Sequence, residues 1–551
     1  MKSSVLLLAA LALAPTAGAQ NTPGEVLGQS KLSSATFPSA LGDQGQLGAS
    51  IAPIGDLDGN GTPDLAVGAP GDDDGGNSRG AVWIVFLEPD GTSLAAQKIS
   101  DLEGGFVGQL DDVDRFGASL APLGDVDGDG TYELAVGTPG DDDGGASRGA
   151  FYILSLMTTG EVASFTKVSS SVFGGGIDNQ DAFGSSLAAV GDLDGDDVVD
   201  LAVGVPGDDD AGLSRGAVWI LFLNADLSVK DQQKISDIVG GFSGQLDDFD
   251  QFGNSLSPLG DLDGDGFLDL AVGAFGDDDG GPSHGAVWIL FLNANGTVDV
   301  EQKISSSEGG FEGSLDNGDA FGVAVAATGD IDGNTVGDLA VGVLRDDDGG
   351  GPSRGAVWLL YLEQNGTVRG EVKISEVAGG FTGPLADFDQ LGSGLAALDD
   401  FDGDGNRDLA VGAPGDDDGG VDRGAVYSLF LDGAFQATFL DVPSSNVSCM
   451  TPSGQPRIGS NWILVVAGMA GETTYLIGVR DLLATPIVFP FGELVIDVTS
   501  PTFFIDVSTT MIHTLSVPND PGLAGRQIFI QAVKGGPPVL LGNAIEVIVG
   551  F

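Results

Sequence analysis

The chain has 551 residues, 42% of them apolar, and sets 81 Asp and Glu against 21 Lys and Arg for a formal charge of −60. That aliphatic content excludes a disordered acidic chain, and the charge repels phosphates and anionic lipid, which leaves cations or basic protein patches as partners rather than nucleic acid or membrane. A single cysteine, Cys449, excludes an internal disulfide, so an exported chain of this kind needs another staple.

Met1-Lys2, the apolar run Val5 to Ala14 and Ala17-Gly18-Ala19 before Gln20 read as a secretory signal over 1–19, with no cysteine following the cleavage point. No other segment reaches the ~18 uninterrupted apolar residues of a bilayer span. The expected product is secreted, extracellular or surface-associated, and without membrane insertion. Calcium, abundant outside many cells, is the expected staple.

From residue 46 onward the chain repeats. One anchoring aspartate recurs at Asp56, Asp125, Asp192, Asp261, Asp330 and Asp400, at spacings of 69, 67, 69, 69 and 70. Each unit opens on Phe116-Gly117, Phe183-Gly184, Phe252-Gly253, Phe321-Gly322 or the variants Leu47-Gly48 and Leu391-Gly392. A small-residue strand, an acidic loop, a DLAVG-type strand, a GDDDGG loop, a GAVWILFL-type strand and a segment containing Lys-aliphatic-Ser follow. Four short β-rich runs per unit, with no helical periodicity, predict propeller blades rather than the shorter repeats of a β-solenoid. The blades fall near 46–111, 115–178, 182–247, 251–316, 320–386 and 390–432. Lys-aliphatic-Ser closes the first five at Lys98, Lys167, Lys234, Lys303 and Lys373 and is missing from the sixth, whereas Lys31-Leu32-Ser33 precedes the first. Val26 to Ser33 is therefore expected to supply the outer strand of blade six and close the ring, leaving no exposed edge. The fold class read from this is all-β: a six-bladed β-propeller over 26–432, then a small β-sandwich over 440–551.

In every unit, acidic or amide side chains stand at loop positions 1, 3, 5 and 9, and position 7 offers a backbone carbonyl. This half of the EF-hand pattern gathers oxygen around Ca²⁺, with Gly at position 6 for the sharp turn. The predicted ligands are Asp56, Asp58, Asn60, Thr62 and Asp64; Asp125, Asp127, Asp129, Thr131 and Glu133; Asp192, Asp194, Asp196, Val198 and Asp200; Asp261, Asp263, Asp265, Phe267 and Asp269; Asp330, Asp332, Asn334, Val336 and Asp338; and Asp400, Asp402, Asp404, Asn406 and Asp408. Up to six Ca²⁺ are expected. Position 12 falls inside a strand, at Val67 in blade one, so this is a hairpin loop and not an EF-hand. Blades three and five put Asp197 and Thr335 at position 6, where the backbone must adopt glycine's angles.

With Phe-Gly, the acidic loop and Gly-Ala-Pro (Gly68-Ala69-Pro70, Gly412-Ala413-Pro414) in order, Val26 to Leu431 resembles the FG-GAP repeats at the N-terminus of integrin α-chains. The resemblance implies a propeller whose cation loops join strands one and two, and whose ligands meet the opposite face, built from the two-to-three and four-to-one loops. Integrin propellers have seven blades and load only some, whereas this chain has six units, each with a loop.

A second acidic cluster starts at Asp72, Asp141, Asp208, Asp277, Asp346 and Asp416, on the face opposite the first. It reads as a solvated turn paired with Arg79, Arg148, Arg215, Arg354 or Arg423. The alternatives are a second cation ring with acids such as Asp112 and Asp114, or a surface for a basic partner. Five of these loops spell G-x-S-x-G, as in Gly212 to Gly216, but a nucleophile elbow needs a strand-to-helix turn and a His partner, and only His284 and His513 exist. Trp83, Trp219, Trp288 and Trp358 share one repeat position and read as packing between blades. After Asp432, stretches such as NWILVVAG and AIEVIVGF read as strands of the sandwich, and the ending LSVPNDPGLAGRQIFIQAV…LGNAIEVIVGF resembles C-terminal modules of large secreted bacterial proteins. The expected function is a secreted calcium-binding propeller that binds an extracellular protein or glycan, as an adhesion or scaffold module and not an enzyme. The alternatives are a polysaccharide-acting enzyme or a structural surface-layer component.

Overall fold

The computed structural model describes residues 23–433, apart from 38–40, 89–90, 171–175, 399 and 402–405, and beyond them only separate strands between Met450 and Ile548. The signal reading over 1–19, Cys449 and the predicted ligands Asp402 and Asp404 lie outside the described residues. No described residue is in an α-helix, and no described helix is long and apolar enough to cross a membrane.

β1 (Val26–Leu32) comes first and waits for its partner at the end of the ring. Blade one is β2 (Ser50–Gly55), β3 (Asp64–Ala69), β4 (Ala81–Leu87) and β5 (Ser93–Ile99); blade two is β6 (Leu120–Gly124), β7 (Tyr132–Thr138), β8 (Ala150–Leu156) and β9 (Val162–Ser169). Blade three is β10 (Ser186–Gly191), β11 (Asp200–Val205), β12 (Ala217–Leu223) and β13 (Val229–Ile235); blade four is β14 (Ser255–Gly260), β15 (Asp269–Ala274), β16 (Ala286–Leu292) and β17 (Val298–Ile304). Blade five is β18 (Phe321–Gly329), β19 (Asp338–Val343), β20 (Ala356–Leu362) and β21 (Val368–Ile374). Blade six adds only β22 (Leu395–Ala397), β23 (Leu409–Ala413) and β24 (Ala425–Leu431). Its fourth strand is β1, antiparallel to β24 from Val26↔Leu431 to Leu32↔Val426, as the misplaced Lys-Leu-Ser predicts.

The strands differ in sequence because they differ in surroundings. Second and third strands such as β3 and β4 are buried along their whole length, sandwiched between neighbouring blades, so they are continuously apolar instead of alternating. The outer strand β5 is half-exposed and carries Gln and Lys. First strands neighbour one another around the ring, with β22 beside β2. The core is correspondingly divided: each of six apolar clusters draws on two adjacent blades, and one of them joins Leu47, Ile51 and Val67 of the first blade to Ala410 and Val426 of the sixth.

The Phe-Gly motif is the blade-to-blade coupling. Phe116, Phe183, Phe252 and Phe321 are fully buried, and each forms a parallel bridge to the glycine ending the previous blade's second acidic loop, as in Gly80↔Phe116. Leu47 bridges Gly424 of blade six in the same way and completes the circle. The close approach demands glycine in the second strand as well. A Cβ on Gly68 would lie 2.0 Å from the Gly117 carbonyl oxygen, and one on Gly412 would lie 1.8 Å from that of Gly48.

Beyond residue 433 the described strands are β25 (Met450–Ser453), β26 (Trp462–Val466), β27 (Tyr475–Val479), β28 (Ile487–Phe489), β29 (Gly492–Leu494), β30 (His513–Thr514), β31 (Gln527–Lys534) and β32 (Leu540–Ile548). They form one sheet in the order β25-β26-β27-β30 and two hairpins. Much of the region expected to be a sandwich lies outside the described residues.

Candidate metal centres and the opposite acidic face

In blades one to five the first strand ends on a register shift opposite the start of the second, at Pro53/Gly55 in blade one, with Gly55 at φ 68°. Such a bulge turns the following residues away from the sheet. The acidic loop then closes on its own carboxylates. Position 1 accepts the N–H of position 6, as Asp56 from Gly61 at 2.9 Å and Asp261 from Gly266 at 3.0 Å. Position 3 accepts from position 5 (Asp127 from Asp129, 3.0 Å), and position 5 accepts from position 7 (Asp265 from Phe267, 2.8 Å). At position 6 of blades three and five, Asp197 and Thr335 take φ 67° and 73°, so both loops keep the turn without glycine.

Three carboxylates converge to within 4.8 Å of one another in five loops: Asp56, Asp58 and Asp64; Asp125, Asp127 and Glu133; Asp192, Asp194 and Asp200; Asp261, Asp263 and Asp265; Asp330, Asp332 and Asp338. In blade four Asp265 takes the third place and not Asp269. Asp400, Asn406 and Asp408 of blade six are described, but Asp402 and Asp404 between them are not.

Position 9 has a second task that the loop pattern does not reveal. Asp64 is fully buried, and its two oxygens accept the N–H of Leu57 at 2.9 Å and of Leu87, the last residue of β4, at 3.1 Å. Asp200, Asp269, Asp338 and Asp408 make the same pair of bonds. The residue thus ties the loop to the third strand. Burial pushes these carboxyls up, Asp64 and Asp200 to about 6 and Asp269 and Asp338 to about 7, against the lowering effect of their backbone donors.

The FG-GAP repeat family matches residues 47–85, 116–154, 183–221, 252–290 and 391–429, which are blades one to four and six from the opening Phe-Gly or Leu-Gly into the third strand. The ring is an FG-GAP propeller of the integrin α type. The chain that carries this FG-GAP propeller is 32% identical over 229 residues to Integrin alpha-PS2 of Drosophila melanogaster, covering 41% of this chain and 15% of that protein. It is 31% identical over 238 residues to Integrin alpha-5 of Xenopus laevis and 30% over 236 residues to Integrin alpha-V of Gallus gallus, each match covering 42% of this chain and 20% of the relative. The chain therefore spans a fifth or less of these relatives. Blade five lies outside the five matched repeats, yet keeps all four strands and the acidic loop.

On the opposite face of the FG-GAP propeller, the structure corrects the expected arginine pairing. The first and third acids of each triplet clasp the lysine of the Lys-aliphatic-Ser strand. Lys98 Nζ lies 2.9 Å from Asp72 and 2.7 Å from Asp74, Lys234 lies 2.6 Å from Asp208 and 2.6 Å from Asp210, and Lys31 of β1 lies 2.5 Å from Asp416 and 2.9 Å from Asp418. Lys167, Lys303 and Lys373 repeat the arrangement. Each ammonium also sits over Trp83, Tyr152, Trp219, Trp288, Trp358 or Tyr427, 5.3 to 5.8 Å from the ring centre. The arginines bond elsewhere. Arg79 reaches Asp101 (2.8 Å) and Asp112 (3.2 Å), Arg215 reaches Asp237 (2.9 Å) and Asp248 (3.1 Å), and Arg148 reaches Asn179 (3.0 Å). Asp112 is thereby taken up by Arg79, and among the described residues the close groupings of three acids all belong to the first loops.

The G-x-S-x-G serines are turn residues. Ser78 sits at φ 47°, and its N–H donates to the middle acid Asp73 at 2.8 Å; Ser214 does the same with Asp209 at 2.7 Å. His284 replaces the arginine of other blades and faces Ser306 and Asn317. The tryptophans pack as expected: Trp288 meets Phe242 and Trp358 meets Phe311 edge to face.

A second buried acid at five of the six junctions sets a pH response. Asp114, Asp181, Asp319 and Asp389 are pushed to about 6 and Asp250 to about 7, by burial first, with a neighbouring triplet acid such as Asp141 or Asp277 adding to the rise. An acid whose folded pKa is raised binds more protons folded than unfolded between about pH 4 and its folded value, so stability falls as pH rises through that window. In chelator, the protein is expected to melt several degrees higher at pH 5 than at pH 7.5. Calcium should shrink the difference, because it binds the ionised carboxylates.

Proposed function

We propose that this chain is a secreted, calcium-binding FG-GAP propeller that acts as a binding or adhesion module for an extracellular protein or glycan. The observation that carries the calcium reading is the convergence of three carboxylates within 4.8 Å in loop after loop. The donors are all hard oxygens from carboxylates, an Asn amide or the position 7 carbonyl, the set that Ca²⁺ prefers. When bound, calcium would neutralise the loop and fasten the first strand of a blade to its second.

The partner reading rests on the face away from these loops. Phe249 and Phe388 are each 56% exposed although φ is 76° and 71°, a backbone that bulky residues rarely adopt. Phe249 donates its N–H to Leu213 of the two-to-three loop at 2.8 Å, and Leu213 is itself exposed. Half-exposed Asp248 and Asp387 flank the two rings in sequence. Exposed aromatics held among carboxylates suit a partner with apolar and basic groups, or the C–H face and hydroxyls of a sugar. A binding role is further supported by the use of the G-x-S-x-G serines as turn residues. The test is a panel of immobilised extracellular proteins and glycans probed in millimolar calcium. Phe249→Ser with Phe388→Ser should leave the melting temperature nearly unchanged and weaken the bound partner by about tenfold or more. Undiminished binding by a folded double variant would rule this face out.

A further inference from the structure

The six acidic loops are not equivalent, and two of them carry a cation of their own. The second residue of the outer strand is Leu94 in blade one, Ala163 in blade two, Lys230 in blade three, Asp299 in blade four, Arg369 in blade five and Leu27 in blade six, each following the residue paired with the end of the third strand. Lys230 Nζ lies 2.9 Å from Asp194 Oδ2 and bonds Asp196 as well, so it holds the carboxylates at positions 3 and 5. Arg369 Nε lies 3.4 Å from Asp332 Oδ2, the position 3 acid, and 3.8 Å from Glu363. Among the described ion pairs, the first loops of blades one, two and four have no basic side chain at these positions.

The same two blades lack glycine at position 6, where Asp197 and Thr335 stand. Two departures from the pattern, one in the loop and one about 33 residues later on another strand, coincide in blades three and five and nowhere else. The opposite face shows that this fold already uses ammonium as a resident counterion, since Lys98 and its equivalents sit between paired carboxylates there.

We infer that blades three and five are held by a tethered side-chain cation in place of calcium, and that Lys230 and Arg369 keep the metal out. The inference rests on the calcium reading above. The Lys230 ammonium takes the donors at positions 3 and 5 in blade three, the Arg369 guanidinium takes the one at position 3 in blade five, and in both blades the positive charge repels a calcium ion from the remaining carboxylates. Blades one, two, four and six are left to bind calcium, so the ring has metal-dependent and metal-independent blades.

The test is calcium stoichiometry by equilibrium dialysis on the full chain at neutral pH, paired with melting in chelator. The wild-type protein should bind four calcium ions. Lys230→Ala, which installs the residue of blade two, should bind one more, and so should Arg369→Ala; in chelator each variant should melt below wild type and be rescued by calcium. Leu94→Ala, the control at the same strand position, should change neither readout. Six ions bound by wild type, with the count unchanged in both variants, would overturn the inference while leaving the calcium reading intact. No calcium bound by any form would overturn both.

Discussion

Removing calcium is expected to lower the melting temperature of the propeller by about 7 °C, with a loss of about 6 kcal/mol if four sites each contribute about 1.4 kcal/mol at a tenfold excess of ion over Kd. The electrostatic reason is local. Asp261, Asp263 and Asp265 approach within 4.8 Å of one another on the surface, and their repulsion is relieved in the apo protein only by loop N–H donors. Differential scanning calorimetry with and without chelator measures the effect, and equal melting in both conditions would refute the calcium reading. The two kinds of ligand should separate in the same experiment. Asp263→Ala is expected to abolish the blade-four site and cost little in chelator. Asp269→Ala should cost stability in chelator too, since it leaves the buried N–H groups of Leu262 and Leu292 without acceptors, at about 1–3 kcal/mol each.

Deleting Val26–Leu32 is expected to cost more than removal of all the calcium. Val26 and Leu32 are buried, at about 1.5–3 kcal/mol for each side chain. Lys31 leaves with them, so Asp416, buried and hydrogen-bonded in the intact ring, loses its cation, a loss of about 3–5 kcal/mol by analogy with other broken buried pairs. The exposed edge of β24 then offers its unpaired backbone to other copies. The deletion variant should lack a cooperative melting transition and elute as aggregates. A synthetic peptide spanning residues 23–34 should restore part of the monomer. A cooperative transition within a few degrees of wild type would show that the ring does not need its closing strand.

The repeat makes the fold legible in the sequence. Six periods define the blades, and one misplaced Lys-Leu-Ser defines the closure, because a strand missing at one end and supernumerary at the other finds its partner when the ring closes. The acidic loops are legible for a local reason, since positions 1 to 9 lie within one hairpin. What escapes a reading of the sequence is decided across strands. Asp72 is seven residues from Arg79 and 26 from Lys98, yet pairs with the lysine, because Lys98 stands opposite Trp83 in the β4–β5 ladder and projects over its ring toward the triplet. The pairing is recoverable from the sequence in principle, as each triplet is followed by one such lysine or, in blade six, served by Lys31. Lys230 and Arg369 escape for the same reason. The loop pattern marks Asp64 as a ligand, but its bond to Leu87 depends on where the third strand ends, which no local motif encodes.

The closing strand also fixes how the ring responds to a pull. β1 starts where β24 ends: Val26 pairs with Leu431, and just outside them Asp432 donates its N–H to Glu25 at 2.8 Å. Chain segments before Glu25 and after Asp432 therefore leave from one point, on the side of the acidic loops, where Leu431 donates to Asp408. Tension applied between those two segments would part the β1–β24 bonds one at a time from that end, like a zipper, at low force. Tension between a partner on the opposite face and either segment runs instead along the length of blade strands, loading many bonds together. The propeller is built to carry load through its body and to yield at its clasp.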